Sequence, residues 1–131
     1  MTLVVDSSVV VAALVDGGPD GAWSAAILEH GLLAAPHLMP AEVGNVLRRA
    51  VLRRDVSAEV AALAHEDLMQ LRVELHGYEP YGRRVWELRD SLSAYDAWYV
   101  AVAEALDAPL ATLDLRLVRS DGPACEFRLP R

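Results

Sequence analysis

Apolar and polar positions follow two different periods along the chain. Continuous apolar runs at Thr2–Val5, Leu32–Ala35 and Pro109–Leu113 have the length of strands buried on both faces. Two segments, Arg72–His76 and Cys125–Leu129, alternate with period two, as half-exposed strands do. Helical spacing fills the intervals: Ser7–Val15, Pro19–His30, a helix beginning near Pro40, one capped by Ser57, one from about Pro80 to Leu92, Ala94–Leu106 capped by Ser93, and a short turn over Leu115–Arg119. The helix from Pro40 sets Val43, Val46, Leu47, Ala50 and Val51 on one stripe, with Arg48, Arg53 and Arg54 outside. The Ser57 helix places Val60, Leu63, Ala64, Leu68 and Leu71 on its apolar face. The body of Ala94–Leu106, from Ala97 to Ala103, has no charge and is expected to be buried nearly all round.

Strands separated by helices imply an α/β fold: a five-stranded parallel sheet covered on both faces. The three fully apolar strands belong in the centre and the two alternating ones at the edges. The simplest order is 3-2-1-4-5, with right-handed crossovers. Its topological switch point falls between strands one and four, where open parallel sheets bind ligands beyond the carboxyl ends of their strands.

Four carboxylates stand at element boundaries. Asp6 ends the first strand and Asp114 the fourth, both at the switch point. Glu42 lies in the first turn of the third helix, and Asp96 in the first turn of the buried helix. Multi-helix connections leave the side of the last two open. Each has a plain structural role beside the functional one: Asp6 and Asp114 as helix caps, Glu42 as complement to a helix dipole, Ser93-x-x-Asp96 as a variant capping box. Converging carboxylates repel, so they coexist only with protons or a cation. An oxygen-only set suits Mg²⁺ or Mn²⁺. Zinc fits poorly, because the single Cys125 is near the C-terminus and the four His show no ligand spacing.

Composition narrows the chemistry. With 131 residues, 53% of them hydrophobic, a single domain spanning 1–131 is expected, and disorder is excluded. One cysteine excludes an internal disulfide, and no targeting or membrane segment stands out, so a soluble cytoplasmic protein is expected. All 12 basic residues are Arg. A chain without lysine has no P-loop, and it lacks the lysine with which receiver domains and aspartyl-phosphate hydrolases hold a phosphoryl group. Phosphodiester hydrolysis at a divalent cation needs only carboxylates, metal and water.

Four segments carry a family resemblance: Val4-Val5-Asp6-Ser7-Ser8, Pro40-Ala41-Glu42-Val43-Gly44-Asn45-Val46-Leu47, Ser93-Ala94-Tyr95-Asp96-Ala97-Trp98-Tyr99-Val100-Ala101 and Leu110-Ala111-Thr112-Leu113-Asp114. In order and spacing they resemble a PIN-domain ribonuclease of the VapC type, the toxin of a bacterial toxin–antitoxin pair. The resemblance covers nearly the whole chain. It implies a PIN-like α/β/α sandwich and Mg²⁺- or Mn²⁺-dependent endonucleolytic cleavage of RNA. It makes Asp6, Glu42, Asp96 and Asp114 the catalytic quartet, with Asp6 and Asp96 as direct metal ligands. Asp114 then ligates or positions through water, and Glu42 orients or activates the nucleophilic water. Asn45 and Thr112 match supporting positions. Some members carry a further acid where this chain has Thr112, which puts full occupancy of a second metal in question. The implied partners are a homodimer mate and a DNA-binding VapB-type antitoxin that occludes the acidic pocket. The alternative is a non-catalytic PIN-like module that binds RNA or protein through the same pocket.

A net charge of −7 is the wrong sign for gripping phosphates in bulk. Part of it sits in the quartet, where metal would neutralise it. Arg49, one stripe along from Glu42, and Arg116, just after Asp114, are candidate phosphate contacts. Arg48, Arg53, Arg54 and Arg119 flank them as plain solvated charges or further contacts. Trp23, Trp86, Trp98, Tyr95 and Tyr99 are expected mostly in the core or a subunit interface, with base stacking as the alternative.

Overall fold

The structure is a computed structural model that describes residues 1–130. Strand β1 (Thr2–Val5) leads directly into helix α1 (Ser7–Val15), and α2 (Pro19–Leu28) returns to β2 (Leu32–Pro36). Next come α3 (Met39–Leu52), α4 (Ala58–Gln70) and β3 (Glu74–His76). A 3-10 turn (Glu79–Tyr81), α5 (Gly82–Glu87) and α6 (Ala94–Ala105) precede β4 (Leu110–Ala111). Helix α7 (Leu115–Val118) and β5 (Phe127–Arg128) complete the fold.

The strands form one sheet in the order β3-β2-β1-β4-β5, with every pairing parallel. Val4 lies opposite Ala34 on one side and Leu110 on the other. The expected order and central strands are therefore observed. Leu3, Val4, Val5, Ala34, Ala35, Leu110 and Ala111 are almost wholly buried, whereas β3 and β5 are partly exposed edges. Helix α6 is buried along Ala97 and Tyr99–Ala103, as its uncharged body requires. Gly21 lets α2 approach α1 closely: a Cβ there would lie 1.8 Å from the Asp16 carbonyl oxygen.

The structure corrects several boundaries. The expected helix over Pro80–Leu92 is a 3-10 turn followed by the short α5. Beyond Glu87 the backbone tightens, with Arg89 donating to the Trp86 carbonyl and Ser91 to that of Leu88, both three residues back. Leu88 and Leu92 are buried all the same, which explains the helical spacing of the sequence. The buried line of α4 is Ala61, Ala64 and Leu68, while Val60 and Leu63 face outward at 47% and 68% exposure. Small alanines give closer helix packing, so the inward face is rotated from the larger apolar residues. Strands β4 and β5 each shrink to two paired residues.

Candidate active site

Asp6 follows the last residue of β1, and its N–H donates to the Ala111 carbonyl at 3.0 Å, fixing it beside the end of β4. Its side chain makes no helix-capping bond, although it sits at the N-cap of α1. Instead Oδ2 accepts hydrogen bonds from Ser8 Oγ at 2.9 Å and Thr112 Oγ1 at 2.7 Å. Both hydroxyls are used twice: Ser8 Oγ accepts from the Leu113 N–H, and Thr112 Oγ1 from the Asp114 N–H, at 3.1 and 3.0 Å. This knot clamps the exit of β4 to the start of α1 and buries Asp6 to 7% exposure. Asp114 does cap its helix, accepting from the Arg116 N–H at 3.0 Å.

Asp96 reaches the same edge because the connection through α5 brings the chain back before α6 begins. Ser93 caps α6 by accepting from the Asp96 N–H at 3.2 Å. Asp6, Asp96 and Asp114 line a pocket of about 440 Å³, whose apolar wall includes Val11, Val15 and Val46. Glu42 stands at the start of α3, just beyond β2, in an adjoining groove. Its Oε1 accepts from the Tyr99 hydroxyl at 2.6 Å.

Electrostatics joins the four. Burial raises the pKa of Asp6 against the lowering bonds from Thr112 and Ser8, and the Asp114 charge raises it further. Burial is also the main cause for Asp96, reinforced by Asp6 and Asp114 and opposed by Ser93 and Arg116. Glu42 is raised by burial and then by the charges of Asp6 and Asp96, against the bond from Tyr99. Three acids are thus held where their ionised forms are disfavoured, and each feels at least one other member of the quartet. Among the described residues, no three Asp, Glu, His or Cys side chains already close round one point at ligating distance. The donor set itself fits a hard divalent cation: all oxygen, mutually repelling, with no sulfur or imidazole on the pocket wall.

The other expected residues divide. Thr112 is fully buried and bonded directly to Asp6. Asn45 is exposed on the groove beside Glu42, and its amide makes no hydrogen bond among the described residues. Arg116 stands at the rim, 90% exposed, with Nε 3.7 Å from Asp114 Oδ1. Arg49 is exposed on α3, away from both cavities. Two contributors were not singled out from sequence as supports of the site. Ser8 lies two residues after Asp6, and Tyr99 lies three after Asp96; that spacing on α6 is the signal that places Tyr99 beside the acids. Cys125 lies before β5, at the opposite edge of the sheet, its thiol pushed up to about 11 chiefly by burial.

The chain is similar to known proteins in sequence and fold. The PIN domain family model matches residues 3–123. The chain is 42% identical to Ribonuclease VapC1 of Mycobacterium tuberculosis over 129 residues, covering 98% of this chain and 97% of that one. It is 38% identical to Ribonuclease VapC9 of the same organism over 123 residues, 94% of each chain. The crystal structure of VapBC2 from Rickettsia felis bound to a promoter DNA fragment contains a chain of the same fold, with TM-score 0.66 at 15% identity, covering 98% of both chains. With an acidic pocket at the switch point of a 3-2-1-4-5 parallel sheet, and relatives aligned end to end, the chain belongs to the PIN domain family, among the VapC-type ribonucleases.

Proposed function

We propose that this protein is a divalent-metal-dependent endoribonuclease that acts as the toxin of a toxin–antitoxin pair. The observation that supports this is the pocket shared by Asp6, Asp96 and Asp114 at the carboxyl ends of β1 and β4, with Glu42 in the adjoining groove and the pKa of Asp6, Asp96 and Glu42 raised. Two curated relatives of nearly the same length are named ribonucleases. Asp6 and Asp96 would hold Mg²⁺ or Mn²⁺, with Asp114 joining directly or through water. When bound, the ion offsets the carboxylate repulsion and supplies a Lewis acid for phosphodiester hydrolysis. The protein's own residues do the positioning. Ser8 and Thr112 fix Asp6 in one rotamer, and the Ser93 cap fixes the start of α6. Tyr99 occupies one oxygen of Glu42, leaving the other to accept a proton from the attacking water. Arg116, at the pocket rim beside Asp114, supplies positive charge for a flanking phosphate.

The protein partner follows the same chemistry. A DNA-binding antitoxin that places a basic side chain into the Asp6–Asp96–Asp114 pocket neutralises those charges and excludes substrate. The apolar Leu52, Val60 and Leu63, exposed on α3 and α4, add to the surface for such a partner or for a homodimer mate.

Calorimetric titration with Mg²⁺ and Mn²⁺, followed by mapping of RNA ends after incubation in each metal, tests the proposal. Metal binding with internal cleavage is expected from the wild type, and neither cleavage nor tight metal binding from Asp6→Asn. Absence of both in the wild type would leave a non-catalytic binding module.

A further inference from the structure

The groove next to the carboxylate pocket has a chemistry of its own. It has a volume of about 480 Å³, in the range of small-ligand sites, and Glu42 links it to the acidic pocket. One wall is formed by Leu38, the N-cap of α3, and the α3 residues Ala41, Asn45 and Arg48, spaced three or four residues apart. The other is the ring of Tyr95, 59% exposed and adjacent in sequence to Asp96. Arg48 is exposed and pairs with no acid among the described residues, in a chain of net charge −7. The floor opens at Gly44, where a Cβ would meet nothing within 4 Å.

We propose that this groove is a nucleobase subsite, holding one unpaired base of a single-stranded RNA beside the scissile phosphate. Tyr95 supplies the stacking face, Asn45 the hydrogen-bonding edge and Arg48 the phosphate contact. Stacking on an exposed aromatic beside a cation is how proteins hold single strands, and an unpaired amide reads base edges. Position favours RNA over a protein segment. The ring is one residue from a proposed metal ligand. The subsite rests on the ribonuclease function proposed above and specifies which part of the substrate meets which residues.

The test begins with wild-type protein and a random-sequence single-stranded RNA pool in Mg²⁺ or Mn²⁺. Mapped ends then define one short oligonucleotide substrate. If the wild type cuts nothing, the ribonuclease function falls and the subsite with it. If it cuts, abasic nucleotides are placed singly around the cut. One flanking abasic position is expected to lower kcat/KM about tenfold. Tyr95→Ala is expected to lose about the same factor on the intact oligonucleotide and to be indifferent to that abasic position, while Tyr95→Phe keeps both rate and sensitivity. Arg48→Ala is expected to raise KM and flatten the salt dependence. Gly44→Leu fills the groove at a helical position that leucine favours, so it is expected to lower kcat/KM while the thermal midpoint holds or rises. The subsite is overturned if Tyr95→Ala retains the wild-type abasic penalty. It is equally overturned if Tyr95→Ala and Gly44→Leu weaken only self-association or antitoxin binding and leave cleavage intact.

Discussion

Helix α6 carries an acid at each end, and the two behave in opposite ways. Asp96, in its first turn, has its pKa raised, and Glu104, in its last turn, has its pKa lowered. The helix dipole alone predicts the reverse, because it favours a negative charge at the N-terminus. Neighbours decide instead. Burial pushes Glu104 up, but bonds from Arg84 and from the Ala124 N–H outweigh it. Arg84 reaches both oxygens, Nε to Oε1 at 2.7 Å and Nη2 to Oε2 at 3.0 Å, and its Nη2 also donates to the Gly122 carbonyl. Asp96 faces Asp6 and Asp114 and, among the described residues, is opposed by its Ser93 cap and by Arg116. The amino edge of the sheet therefore holds a satisfied polar cluster that ties the C-terminal loop to α5 and α6. The carboxyl edge holds charges that the fold leaves unbalanced. Structural polar groups are satisfied within the chain, and an unsatisfied set points to a ligand.

The sharpest way to break this contrast is to neutralise one acid at each edge. Asp6→Asn keeps a carbonyl acceptor for Ser8 and Thr112 but removes a buried negative charge. It is expected to lower RNA cleavage more than about a hundredfold while metal-free thermal stability stays level or rises. Cleavage assays paired with thermal melts check both halves. A large fall in stability would mean that Asp6 is structural. Glu104→Gln removes the partner of a partly buried arginine and is expected to cost about 1–2 kcal/mol of stability, with cleavage near the wild-type rate. Urea unfolding measures the first and the same RNA assay the second.

Lowering the pH sharpens the amino-edge half. Glu104 has a depressed folded pKa, so its contribution to stability is present above the unfolded glutamate value of about 4.3 and is lost as pH falls through the lower folded value. Glu104→Gln lacks that contribution at every pH. The stability gap between wild type and variant is therefore expected to be widest at neutral pH and to close below about pH 4. Urea midpoints for both proteins across pH 3 to 7, an interval of roughly the carboxylate range, check this. A gap that persists at the acid end would mean that shape, not charge, holds the cluster.

The two edges also differ in how far the sequence revealed them. Strand order was legible because burial on both faces leaves β1, β2 and β4 continuously apolar, and Asp6 and Asp114 were legible because each breaks such a run. Glu42 and Asp96 could be placed in first turns, but their side depended on how the chain returned through intermediate helices. Thr112 was legible only through the family resemblance: its bond to Asp6, like that of Tyr99 to Glu42, spans a long sequence separation that periodicity does not encode. The Arg84–Glu104 pair, 20 residues apart, was invisible for the same reason. The α4 stripe misled because alanine packing outweighed side-chain size. The helix expected to Leu92 ended early although Leu88 and Leu92 are buried as its spacing required. Ser91 Oγ donates to the Asp121 carbonyl at 2.6 Å, a tertiary bond that the local pattern cannot show.

The smallest expected effect concerns the contact that links the buried core to the unbalanced edge. Tyr99 is 1% exposed, and its hydroxyl donates to Glu42 at 2.6 Å. Tyr99→Phe keeps the ring in its packing and deletes that bond. Since Glu42 remains partly solvated, it can regain water, so stability is expected to change by less than about 1.5 kcal/mol. If Tyr99 orients the carboxylate that receives the proton of the attacking water, kcat falls about two- to tenfold with KM unchanged. Metal affinity should not move, because Glu42 is not among the residues assigned to hold the ion. Steady-state kinetics and calorimetric metal titration of the same variant separate the cases. A KM effect would assign the bond to substrate binding, and weaker metal binding would bring Glu42 into the ligand set.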